Sequence, residues 1–321
     1  MQDNEGRQID YLRLSLTDRC NLRCRYCLPE DVESVGHEAV LRYEEMLEIC
    51  RAALHLGICK FKITGGEPLV RKGAVDFMQA LKAMDGVASV TLTTNGQLLE
   101  PILPRLQQLG LDGLNISLDS LSAVQYKSLT GGGDLAKVRQ ALGQALDLGL
   151  KVKINAVLLE QTKTQILPLA KLAEKRPLAV RFIEVMPIGW GAGFTGPGEA
   201  DVLARLQQVY PDLQRSEKRY GNGPAVYYTS AALTGVLGFI SAKSHAFCAS
   251  CNRLRLTSTG FLKPCLCYDQ GVDLRAILRR RHTEEDLVQA LRKAISQKPA
   301  HHCFGRKTEI TEHKTMNQIG G

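Results

Sequence analysis

Along the first 184 residues the spacing of apolar positions switches repeatedly between two periods. Short β-type runs occur at YLRLSL (11–16), FKIT (61–64), SVTLT (89–93), GLNISL (113–118), KVKINAV (151–157) and AVRFIE (179–184). Between them, segments 43–56, 74–84, 99–109, 134–148 and 164–175 carry apolar residues three and four apart, as amphipathic helices require. Six β-then-α units in series predict parallel strands joined by right-handed crossovers. The pattern suits a doubly wound sheet or part of a barrel. A complete eight-unit barrel uses about 250 residues, so six units spent by residue 184 favour a partial, six-unit α/β barrel. Either architecture places chemistry at the C-terminal ends of the strands.

Beyond residue 184 the pattern changes. Residues 186–200 hold five glycines and two prolines and read as a loop. A helix is predicted over 201–209. The segment 272–298 reads as helical and polar, with Arg279, Arg280 and Arg281 on a solvated face. The expected organisation is a barrel over residues 1–200 and a C-terminal region over 201–321.

Composition narrows the function. Hydrophobic residues make up 44% of the 321, which excludes a wholly disordered chain. No apolar stretch reaches the roughly 18 residues that span a bilayer. The N-terminal MQDNEGRQIDYLRL is acidic with no apolar core, unlike a secretory signal. A cytoplasmic protein with no membrane partner is expected. A net charge of +8 suits an anionic ligand. Ten cysteines in a reducing compartment point to metal or catalysis rather than disulfides.

Those cysteines cluster. Cys20, Cys24 and Cys27 form C-x3-C-x2-C directly after the first predicted strand. Structural zinc normally takes four protein ligands, and iron–sulfur clusters usually four cysteines. Three leave one iron of a 4Fe-4S cube open to an outside ligand; a zinc knuckle with a distant fourth ligand is the alternative. Cys248, Cys251 and Cys265 form a second set, C-x2-C-x13-C, with Cys267 two residues on. A four-cysteine zinc ribbon competes there. Cys50, Cys59 and Cys303 read as small buried hydrophobes. Gly65-Gly66-Glu67-Pro68 follows the second strand, and two glycines there let backbone approach a ligand.

CNLRCRYC followed by GGEP resembles the radical S-adenosylmethionine (SAM) enzymes. FCASCNRLRLTSTGFLKPCL and the terminal MNQIGG narrow the resemblance to the GTP 3′,8-cyclases of molybdenum cofactor biosynthesis (the MoaA family). The resemblance runs from about Arg7 to Gly321. It implies two 4Fe-4S clusters and SAM as cofactors, and GTP as substrate. In that family the first cluster reduces SAM, the resulting adenosyl radical takes hydrogen from the ribose 3′ carbon, and the ribose radical attacks guanine carbon 8. The second cluster holds the guanine.

Residue by residue, the resemblance assigns Cys20, Cys24 and Cys27 to the SAM cluster and Cys248, Cys251 and Cys265 to the substrate cluster. Tyr26, Gly66, Ser117 and Met186 match SAM contacts. Arg13, Lys62, Thr93, Lys153, Arg253, Leu254 and Arg255 match GTP contacts. Gly320, Gly321 and Arg181 are assigned to catalysis, the terminal Gly-Gly threading a narrow cleft as bare backbone. The charged residues among them sit in otherwise apolar strands, where charge costs free energy unless paired or liganded. Two positions depart from the family. Lys62 replaces the usual Arg before ITGGEP and loses the guanidinium fork. Arg71-Lys72-Gly73 replaces RRD; the missing Asp would cap the next helix, and Gly is a modest substitute.

Two other readings remain at this stage. One is a different radical SAM enzyme with an auxiliary cluster. The other is a zinc-stabilised nucleic-acid-binding protein, which the 6% aromatic content and the absence of a basic recognition stripe disfavour. Flavodoxin or ferredoxin is the expected electron donor, a homodimer the expected assembly, and nucleic acid is not an expected partner.

Overall fold

The computed structural model describes residues 1–28, 32 and 34–320. All six predicted strands form, as β1 (Tyr11–Ser15), β2 (Lys60–Thr64), β3 (Ser89–Thr94), β4 (Gly113–Ser117), β5 (Val152–Leu158) and β6 (Ala179–Glu184). The crossovers carry α1 (Tyr43–His55), α2 (Ala74–Lys82), α3 (Leu103–Gln108), α4 (Ala123–Thr130), α5 (Leu135–Asp147), α6 (Ile166–Ala170) and α7 (Leu172–Lys175). Segment 164–175 is therefore two short helices after a 3-10 stretch. The glycine-rich segment is a loop with a 3-10 turn at Gly189–Gly193, and α8 (Glu199–Val209) begins two residues earlier than expected.

The C-terminal region adds β7 (Gln214–Ser216), β8 (Val226–Thr229), β9 (Val236–Ile240), β10 (Arg253–Leu256), β11 (Phe261–Lys263) and β12 (Val272–Asp273). It ends with α9 (Leu274–Leu278), α10 (Glu284–Ser296) and α11 (Met316–Ile319). All strands join one sheet, in the order β12-β11-β10-β1-β2-β3-β4-β5-β6-β9-β8-β7. β9 extends the parallel set beside β6, and β10 extends it beside β1. Antiparallel hairpin strands finish both edges.

Strand parity divides the sheet into two chemistries. Leu12, Leu14, Phe61, Ile63, Val90, Leu92, Leu114, Ile116, Ile154, Val180 and Phe182 form the core under the helices. The alternate positions are mostly polar: Arg13, Ser15, Lys62, Thr91, Thr93, Asn115, Ser117, Lys153, Asn155, Arg181, Arg253 and Arg255. Such a face is stable only if something polar fills it.

Three expectations need correction. The segment 272–298 is not uniformly polar: α10 buries Leu287, Val288, Leu291, Ala294 and Ile295, and its start is a Thr283–Asp286 capping box. Arg279–Arg281 lie in the turn after α9, not on a helix face, and Arg279 there bonds Glu45 and the carbonyls of Glu38 and Val40. Gly73 is more than a weak cap. It starts α2 at φ +83°, and a Cβ would meet the Tyr43 ring at 3.3 Å. Tyr43 in turn stacks on Phe77 and lies under the Arg71 guanidinium. An Asp in this backbone would be strained.

Candidate functional site

The loop after β1 carries the first triad. Cys20, Cys24 and Cys27 are partly buried and close enough that Cys20 raises the thiol pKa of both others and Cys27 raises that of Cys24. Burial is the main cause, and Cys27 is pushed up to about 12. Three buried thiolates repel, so a strongly cationic centre is what would hold them ionised. No three His, Cys, Asp or Glu side chains of the described residues converge as a single-ion site. A cube of irons, several Å across, suits more widely spread donors.

The loop is built by close backbone packing. Gly66 N–H donates to Thr17 O (2.7 Å), and a Cβ on Gly66 would meet Arg19 O at 2.5 Å and Asp18 O at 2.6 Å. The glycines of GGEP thus serve chain-to-chain approach. Glu67 is fully buried and locks β2 to β3, accepting from Thr94 Oγ1 (2.9 Å) and Asn95 N (2.7 Å). Burial lifts its carboxyl to about 7. Asn95 then reaches Asn21 (2.8 Å) and the Cys20 sulfur (3.8 Å). Tyr26 donates to Asp119 Oδ2 (2.7 Å), whose Oδ1 accepts from Val157 N (2.7 Å). Ser117 ends β4, and Met186 follows β6, packed beside Ile188. These groups therefore share the C-terminal ends of the strands with the first triad.

The second triad lies at the other end. Cys248 and Cys251 precede β10, which runs parallel to β1, and Cys265 follows the antiparallel β11. The N–H groups of Asp10 and Tyr11, at the start of β1, donate to Asn252 O. The expectation that all chemistry sits at the C-terminal ends is thus incomplete, because the direction of β10 puts this triad at the N-terminal ends. Five strand residues at about 3.3 Å each leave roughly 15–20 Å between the triads. Burial acts to raise the Cys251 thiol, but Arg253 and Lys298 outweigh it and hold it below its ordinary value. Burial keeps Cys265 raised, and Cys251 and Cys248 add to this. Lys298 also anchors the Arg253 and Pro264 carbonyls at 2.9 and 2.7 Å. Arg7, paired with Asp3 at 2.6 Å, ties Cys248 O to the chain after α10. Cys267 and Cys303 lie beside Cys265. Both are buried in an apolar cluster, and Cys303 N–H donates to the Cys267 sulfur (3.2 Å).

Between the triads the polar face collects cations. Arg13 pairs in register with Lys62 and Arg255, and Asn155 with Arg181. Burial, then Arg181, Arg13, Lys153 and Arg253, pushes Lys62 far below the usual ammonium range. Burial with Arg13 and Arg253 does the same to Arg255. Arg13 falls to about 10 and Lys153 to about 8, each chiefly through burial. Arg181 Nε and Arg253 Nε are buried without a partner. This donor set fits a polyanion. Thr93 lies on the same face, its Oγ1 accepting from Asn115 (3.3 Å). Leu254 does not: its side chain alternates to the opposite face and is fully buried in the core. It can offer the site only backbone.

Residues 315–320 reach this region. α11 opens with a Thr315–Gln318 capping box, Ile319 is fully buried, and Asn317 Nδ2 donates to Asp18 O (2.8 Å). Gly320, at φ +87°, accepts from Thr64 Oγ1 (3.0 Å) and Arg13 (3.4 Å), and a Cβ there would meet Ser15 at 3.0 Å. Gly321 lies outside the described residues.

Comparison with known proteins agrees with these features. Residues 14–173 match the model of the radical SAM superfamily, and residues 178–304 match Molybdenum Cofactor Synthesis C. A GTP 3′,8-cyclase of Clostridium perfringens is 41% identical over 323 residues, covering 100% of both chains. The cyclases of Moorella thermoacetica and Geobacter sulfurreducens are each 42% identical, over 100% and 99% of both chains. The chain belongs to the GTP 3′,8-cyclase family. Among solved structures, Streptococcus suis SuiB bound to S-adenosylmethionine superposes with a TM-score of 0.66 over 96% of this chain and 76% of SuiB. At 16% identity that likeness concerns the α/β fold with its large, mostly parallel sheet.

Four residues that bond the candidate groups were not among the sequence candidates: Asn115, Asn155, Asp119 and Lys298. Asn115 and Asn155 share strand parity with Ser117 and Lys153, a signal that was present. Asp119 and Lys298 follow their elements and carry none.

Proposed function

We propose that this chain converts GTP to 3′,8-cyclo-7,8-dihydro-GTP, the first step of molybdenum cofactor biosynthesis. The observation that carries the reading is a cluster of buried cations enclosed between two cysteine triads at opposite ends of the same parallel strands. In this reading the sheet is a partial barrel. Lys62 on β2 and Arg181 on β6 are four strand spacings apart, about 19 Å on a flat sheet, yet, besides burial, the Arg181 charge helps to lower the Lys62 pKa. Asn222, after β7, also bonds Ser89 at the start of β3 (3.0 Å). Curvature brings both together. Residues 1–200 are then the SAM-binding barrel, and 201–321 bring the second cluster and the tail.

Cys20, Cys24 and Cys27 would hold one 4Fe-4S cluster and Cys248, Cys251 and Cys265 the other, each with an open iron. Bound SAM and the first cluster supply one-electron radical chemistry. The protein's own groups supply position and field. Tyr26, oriented by Asp119, with Gly66, Ser117 and Met186, seats SAM at the C-terminal ends. Arg13, Lys62, Lys153, Arg253 and Arg255 neutralise the triphosphate in a largely dry pocket, where each charge-assisted bond is strong. Thr93 adds a hydroxyl and Leu254 its backbone. Arg181 belongs to the same cation set and, with the terminal Gly320-Gly321, is assigned to catalysis at the ribose. Flavodoxin or ferredoxin as electron donor, a homodimer and a cytoplasmic setting belong to the same proposal. No helix of the described residues is long and apolar enough to cross a membrane.

Protein purified anaerobically should be brown, with iron and sulfide matching two 4Fe-4S clusters per chain. Colourless protein with one zinc would overturn the reading in favour of a zinc-stabilised binding protein.

A further inference from the structure

The acceptors around Arg181 are neutral. This side chain is 5% exposed, yet the groups it bonds are two carboxamides rather than a carboxylate. Its Nη2 donates to Asn115 Oδ1 (2.6 Å) and Asn155 Oδ1 (2.5 Å). Asn115 is itself fixed, its Nδ2 donating to Leu92 O (3.0 Å) and Thr93 Oγ1 (3.3 Å). Tyr227 on β8 lies close beside the guanidinium. Gly238 on β9 makes room: a Cβ there would meet Tyr227 at 2.9 Å and Arg181 Cγ at 3.1 Å. One edge of the guanidinium is thereby pinned, while Nε stays buried and unpartnered.

Buried arginine is normally paired with a carboxylate, which satisfies its hydrogen bonds and its charge together. Carboxamide oxygens satisfy hydrogen bonds and leave the charge. The neighbouring charges, on Lys62 and Lys153, are also positive. Holding such a set together without an anion is costly, so the arrangement stores attraction for one.

We infer that Asn115 and Asn155 are positioning residues that keep Arg181 oriented but uncompensated, reserving its charge for the phosphates of the substrate. The inference rests on the reading of this pocket as the triphosphate site. Asp at either position would preserve shape and acceptor geometry while supplying the missing negative charge. It would pair internally with Arg181 and compete with the ligand.

The test is binding to the holoenzyme, both clusters in place and without reductant, using GTP, inorganic triphosphate and guanosine as probes. Asn155→Asp and Asn115→Asp should weaken GTP and triphosphate by roughly 10- to 100-fold, the worth of a lost charge-assisted contact. Guanosine should bind as to wild type. Asn155→Ala, which removes an acceptor but adds no charge, should lose less than Asn155→Asp. The dependence of GTP affinity on salt should be shallower in the Asp variants. Unchanged GTP binding in both Asp variants would overturn the inference. So would equal weakening of guanosine, which would mark the asparagines as merely structural. Wild-type protein that binds neither GTP nor triphosphate would instead refute the reading of the pocket.

Discussion

A buried arginine or lysine normally finds a carboxylate, whereas here Arg181 bonds two carboxamides and Lys62 is crowded by Arg181, Arg13, Lys153 and Arg253. The free energy cost of that crowding is recovered only with a polyanion bound. Arg253→Ala or Arg255→Ala should therefore weaken GTP by roughly 10- to 100-fold while leaving SAM affinity close to wild type. Isothermal titration with each ligand separates the two. Lys153 makes the pocket pH-sensitive. Burial lowers its pKa to about 8, so the free protein loses this charge as pH rises through 8, and a triphosphate favours the protonated form. GTP affinity should be highest below pH 8 and fall as pH climbs toward 10. Lys153→Arg, which stays charged, should flatten that fall; identical profiles would place Lys153 outside the anion site. The cysteines divide by role. Cys24→Ala should abolish SAM cleavage, whereas Cys265→Ala should keep uncoupled cleavage and lose GTP conversion. Equal loss of SAM cleavage in both would defeat the division.

At the scale of elements, the C-terminal segments act as a strap between strand ends. Lys263 on β11 and Glu312 form an ion pair with both side chains 2% exposed, and Lys263 also bonds Tyr268 O (2.5 Å). Lys263→Met would leave Glu312 as an unpaired buried charge and should cost about 3–5 kcal/mol, read as a lowered unfolding midpoint. Lys263→Met with Glu312→Leu should recover most of it. The last two glycines differ. α11 and Ile319 are anchored without them, through a capping box and a fully buried side chain. Deleting Gly320 and Gly321 should leave melting temperature, iron content and SAM binding near wild type, yet strongly reduce cyclisation. A truncated chain that forms product at the wild-type rate would make the tail an ordinary frayed end.

For the whole molecule, what was legible in the sequence is what local pattern encodes. The six parallel strands follow from period and punctuation. The cysteine sets follow from spacing, and Arg13, Lys153 and Arg181 were conspicuous as charges inside apolar strands. What was hidden is long-range. β10 pairs with β1 across some 240 residues of chain, and nothing near Arg253 announces that partner or its direction. The placement of the second triad at the far end depends on exactly that pairing. Polar strand residues such as Asn115 and Asn155 look like ordinary surface until their parity is shared with cations from other strands. Gly73 read as a weakened cap because its left-handed φ and its contact with Tyr43 are tertiary facts.

The central claim is that one nucleotide lies between two clusters and is cyclised there. Anaerobic holoenzyme given GTP, SAM and a strong one-electron reductant, with the products separated and analysed by mass spectrometry, tests it most directly. The account predicts 3′,8-cyclo-7,8-dihydro-GTP accumulating with 5′-deoxyadenosine and methionine. Formation of 5′-deoxyadenosine at a rate indifferent to GTP, with GTP recovered unchanged, would contradict it.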